Sequence, residues 1–108
     1  MAKQIVFDYK GTEYTLEFTR KTCTQMEDRG FVASEILDKP MSALPTLFAG
    51  SFLANHRFVK KDLIDEMFDL FTNKRALVEK LAEMYSEPME AMMDDVDEKN
   101  GIAWEASF

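Results

Sequence analysis

The sequence predicts an α+β fold, an N-terminal β-hairpin followed by a compact bundle of four to five short α-helices and an acidic C-terminal segment. Three observations carry that prediction. Apolar and polar residues alternate with a period of two on either side of Gly11. From residue 20 onward the apolar spacing becomes helical. Charge is balanced through residue 80, with 12 acidic and 12 basic side chains, whereas residues 81–108 carry 8 acidic groups against Lys99 alone and hold the whole net charge of −7.

The hairpin is expected over residues 4–18. Ile5, Phe7 and Tyr9 lie on one face of the first strand, and Tyr14, Leu16 and Phe18 on the matching face of the second, because side chains of a strand alternate between its two sides. A two-residue Lys10-Gly11 turn would set Asp8 opposite Glu13, two like charges. A four-residue loop instead pairs Tyr9 with Tyr14 and Phe7 with Leu16, and cross-strand pairing favours that longer loop. A two-stranded ribbon is marginal alone in water, so its aromatic face must pack on other elements.

Helices are expected at about 20–29, 41–56, 60–71, 73–86 and 88–94, closing a single domain over residues 1–93 with 94–108 as its acidic tail. A threonine-rich start and Gly30 as the residue past the end delimit the first helix, which turns Cys23 and Met26 inward. Phe31 to Leu37 reads as a connector with one helical turn. Asp38 and Pro40 then open the longest uncharged stretch, Met41 to Asn55, whose Leu44, Leu47, Phe48, Phe52 and Leu53 make it the least exposed element. Pro45 bends this helix or delays its start. His56 and Arg57 close it, with His56 as a surface or capping residue.

Two amphipathic helices follow. The first turns Leu63, Ile64, Met67, Phe68 and Phe71 inward, and the second, capped by Thr72 or Asn73, turns in Leu77, Val78, Leu81, Met84 and Tyr85. Pro88 restarts or kinks the chain into a methionine-rich segment in which Met89, Met92, Met93 and Val96 alternate with carboxylates. Such a stripe is either a last helix lying on the core or an adaptable docking surface, since unbranched thioethers repack at little cost. At the end of the chain Ile102, Trp104, Ala106 and Phe108 return to a period of two, the pattern of a strand that could join a sheet edge.

No catalytic motif is present: no phosphate-binding glycine loop, no zinc constellation and no nucleophile elbow, so no cofactor and no enzyme activity are expected. The run Asp95 to Gly101 suggests a calcium loop but fails on register, because Lys99 falls where an oxygen ligand belongs and Ala106 where the bidentate glutamate should close the shell. Cys23 is read as a small buried hydrophobe, and one cysteine permits no internal disulfide. The acidic balance argues against nucleic-acid binding, which needs a net basic surface to neutralise phosphates. With one cysteine and no apolar run of the roughly 20 residues that a membrane span needs, a reducing cytoplasm is the expected location.

The residues Ile5 to Gly11, Tyr14 to Arg20, Met26-Glu27, Gly30-Phe31, Leu44 to Phe52 and Trp104-Glu105 resemble small proteins from the tail-morphogenesis region of long-tailed bacteriophages and prophages of Gram-positive bacteria. Their class is the tail assembly chaperone. The resemblance implies a non-enzymatic factor that binds the phage tape measure protein and keeps it soluble while the tail tube polymerises. In that family a frameshifted longer form recruits the major tail protein, and this chain would correspond to the short form. Candidate partner contacts are Met84, Met89, Met92, Met93, Trp104 and Phe108. The alternatives are a structural tail or head-tail connector and an acidic decoy that occupies a host protein. Homo-oligomers are also expected, because a hairpin offers two edges.

Overall fold

Lys10 and Gly11 both take positive φ, 50° and 84°. That pair of left-handed residues makes a two-residue turn whose twist matches that of the strands it joins. In the computed structural model, which describes residues 3–94, 97 and 99–108, the turn joins β1 (Ile5–Tyr9) to β2 (Thr12–Leu16), with Phe7 opposite Tyr14 and Asp8 opposite Glu13. The four-residue loop expected from charge avoidance is therefore not formed. Asp8 and Glu13 are both exposed, where solvent screens their repulsion. The favoured turn and the stacked Phe7 and Tyr14 rings, 5.3 Å between centroids, prevail.

Helix α1 (Arg20–Asp28) shows how local chemistry sets both ends. At its start Thr19 Oγ1 accepts from the Thr22 N–H at 3.1 Å, and Thr22 Oγ1 accepts from the Thr19 N–H at 2.9 Å, a reciprocal capping box with threonine in both places. Its end is a Schellman motif, with Gly30 at φ 95° donating to the Glu27 carbonyl and Phe31 to the Met26 carbonyl. A single turn, α2 (Glu35–Asp38), leads into α3 (Pro40–Gly50), whose first residue is the proline expected there. Pro45 lies inside α3 without ending it.

Two further helices, α4 (Lys61–Leu70) and α5 (Lys74–Met93), complete the order. The uncharged stretch does not stay helical to His56: α3 ends at Gly50 and residues 51–55 form turns. Pro88 does not divide the last helix, which runs unbroken for 20 residues. A proline removes one N–H and clashes one turn back, yet the turns before it are anchored by the buried Leu77, Leu81 and Met84. Asn73 occupies the position before α5 but in a left-handed conformation, and its side chain makes no capping bond. Residues 102–108 form no strand and join neither edge of the two-stranded sheet.

The core sits between the aromatic face of the hairpin and the helices. Phe48 is its hub, 1% exposed, with ring centroids 5.2 Å from Phe52, 5.1 Å from Phe68 and 5.5 Å from Phe71. Phe71 in turn meets Phe7 edge-on at 4.9 Å, which ties β1 to the end of α4. Leu16, Leu47, Met67 and Leu81 fill the same core. At Gly50 the backbone comes so close to Met26 that a Cβ would displace the end of that side chain.

Strand β2 has a second partner beyond β1. The turns after α3 run along its outer edge: Glu17 N–H donates to the Ser51 carbonyl at 3.1 Å, Asn55 Nδ2 donates to the Thr15 carbonyl at 3.2 Å, and the Thr15 N–H donates to His56 Nε2 at 2.9 Å. His56 is therefore no helix cap. It is half-buried, packs edge-on against Tyr14 at 5.1 Å, and accepts at Nε2, which leaves the ring proton on Nδ1. Replacing His56 with alanine strands a partly buried N–H and is expected to cost about 1–3 kcal/mol in urea unfolding. A change within about 0.5 kcal/mol would mean that water substitutes fully for the imidazole.

Candidate protein-docking surface

Six residues were expected to contact a partner, and their environments divide them. Met84 is 4% exposed and belongs to the core, beneath α5, so it is unavailable as a contact. Its spacing of seven from Leu77 and three from Leu81 had already placed it on the buried stripe. Met89, Met92 and Met93 are 62%, 53% and 75% exposed on the last turns of α5, and Trp104 and Phe108 lie open beyond it. Val96 of the same stripe lies outside the described residues.

The change from buried to exposed along α5 has a simple geometric origin. A 20-residue helix is about 30 Å long. Its first three turns cover the core through Leu77, Leu81 and Met84, and among the described residues no element covers the methionines of its last turns. Met89 and Met93 are four apart and share one ridge. Met92 faces a groove of about 430 Å³ between this end of α5 and the junction of β2 with α1, where Phe18, Thr19 and Arg20 form the opposite wall. Glu87, on the α5 wall, holds its Oε2 shielded with no hydrogen-bond partner among the described residues. The start of the chain braces α5, as the Lys3 ammonium bonds Glu83 at 2.7 Å and holds that carboxyl below its ordinary range.

Two further apolar surfaces escaped the sequence reading. Leu37 and Met41 are each 90% exposed around the start of α3, although the uncharged stretch from Met41 was expected to be the least exposed element. The signal was available in Pro40, which makes Met41 a first-turn residue. On another face, a cleft of about 310 Å³ opens between α1, the turns after α3 and the start of α4. Buried Met26, Phe31, Phe52 and Ile64 form its floor, and Arg29, Arg57 and Lys61 stand around it. A second cleft of about 360 Å³ shares Leu53 and Arg57 with it and adds Lys21 and the exposed Phe58. Among the described residues no carboxylate lines either cleft.

Cys23 is half-buried with Sγ 3.9 Å from the Tyr85 carbonyl, and burial, with Glu27 nearby, pushes its thiol up to about 11, so the nucleophilic thiolate is scarce at neutral pH. Among the described residues no set of three histidine, cysteine or carboxylate side chains could hold a metal ion, and no helix is long and apolar enough to cross a membrane. Asp95 and Glu98 of the calcium-like run lie outside the described residues.

No curated protein and no solved structure is significantly similar to this chain. One family model, described as the domain of unknown function DUF5055, matches residues 1–108, and the chain therefore belongs to the DUF5055 family.

Proposed function

We propose that the chain is a non-enzymatic tail assembly chaperone of a long-tailed bacteriophage or prophage, acting in the cytoplasm of the bacterial host and binding the tape measure protein. The observation that carries the reading is the exposure of Met89, Met92 and Met93 together on the overhanging end of α5, beside the groove walled by Phe18 and Arg20. Methionine adapts its shape to different apolar partners, and an apolar groove beside a helix accepts one face of an amphipathic helix. A long, helical client with repeated apolar anchors suits such a surface. The exposed Glu90 and Asp94 beside it keep it hydrated until the client arrives.

Co-expression with the tape measure protein of the same genome tests the proposal. The client's soluble yield should rise and the two should co-purify, while purified virions should lack this chain by mass spectrometry. Absence of a complex would overturn the reading, and presence of the chain in particles would replace it with a structural connector.

A further inference from the structure

We propose that the two adjoining cationic clefts bind the acidic, aromatic C-terminal segment of a second copy of this chain, so that copies associate head to tail. Charge complementarity selects the occupant. In a protein of net charge −7, the clefts gather Lys21, Arg29, Arg57 and Lys61 with no carboxylate among their described lining residues. Among the described residues none of these four cations forms a salt bridge, and Arg57 bonds only the neutral Gln25 amide, at 3.2 Å. The complementary charge lies in residues 94–108, where Asp94, Asp95, Asp97, Glu98 and Glu105 face one lysine.

Shape supports the same pairing. The C-terminal segment offers two large aromatic anchors, Trp104 at 83% exposure and Phe108 fully exposed. Four residues apart, they span up to about 13 Å of extended chain. Two clefts of about 310 and 360 Å³ that share the Leu53 and Arg57 wall offer a seat to each ring. A buried aromatic within a cationic rim is the arrangement in which a few residues dominate binding, and the cations add steering and salt dependence. Because the clefts and the segment are different surfaces, the contact is heterologous: each copy receives one tail and offers another.

Sedimentation velocity of the full chain across a wide concentration range, at low and high salt, tests this together with Trp104 fluorescence, since Trp104 is the single tryptophan. The expected result is concentration-dependent association that weakens with salt, accompanied by a blue shift of the emission. Two exposed double variants, Trp104→Ala with Phe108→Ala and Arg57→Glu with Lys61→Glu, should each weaken association roughly tenfold or more without changing the melting transition. Arg29→Glu serves in place of the second pair should that one unfold. Mixed in equal amounts, the tail variant and the cleft variant should form a dimer that grows no further, because one intact cleft meets one intact tail. A chain that stays monomeric at every concentration, association indifferent to both variants, or failure of the mixture to dimerise would overturn the proposal. So would a blue-shifted emission in the monomer that cleft reversal abolishes, which would place the segment in its own chain's cleft.

Discussion

Truncating Phe48 to alanine is expected to cost about 3–5 kcal/mol of folding stability. That is a large part of the roughly 5–15 kcal/mol that a domain of this size possesses. The ring is 1% exposed and touches aromatic side chains from the turns after α3, from α4 and from the residue that ends α4. Removing it leaves a void bordered by rigid rings, which relax poorly into empty space. Equilibrium urea unfolding measures the loss, and Phe58→Ala, at a side chain 94% exposed, should stay within about 0.5 kcal/mol. Equal losses at the two positions would show that the aromatic hub is not where the stability resides.

The methionines of α5 should separate stability from binding. Met84→Ala is expected to cost about 2–5 kcal/mol, because the side chain is 4% exposed within the core. Replacing Met89, Met92 and Met93 together with glutamine should leave unfolding nearly unchanged, since glutamine and methionine have similar helix propensity and these positions face solvent. The same triple variant should lose co-purification with the tape measure protein. Retained client binding with intact stability would remove the overhanging stripe from the docking surface. A large loss of stability would mean that the stripe packs on the fold.

Elements governed by neighbours in sequence were legible before the structure. Period-two alternation marked both strands, Gly30 marked the end of α1, and Pro40 marked the start of α3. What escaped prediction depends on contacts between distant residues. The hairpin register turned on the price of setting Asp8 against Glu13, which is small only because both lie in solvent. Pro88 reads as a helix breaker in isolation, but the helix before it is anchored by the core. His56 meets Thr15 across 41 residues, a pairing that no local pattern announces. The candidate site was half legible: spacing identified the methionine stripe and also set Met84 in line with Leu77 and Leu81, the buried face on which the structure places it. The cationic clefts were hidden by counting charge along the chain. Residues 1–80 sum to zero, yet Lys21, Arg29, Arg57 and Lys61 come from three segments that folding brings to one face.

The cover that Ser51, Asn55 and His56 place along β2 bears on how copies of this chain could join through their sheets. Among the described residues β1 alone keeps an outer edge without such bonds. An edge that exists once per molecule can be used once. Two hairpins meeting at β1 would form a four-stranded sheet whose outer strands are each already bonded at Thr15, which shortens the edge left for the continuous stacking by which open-edged strands build fibres.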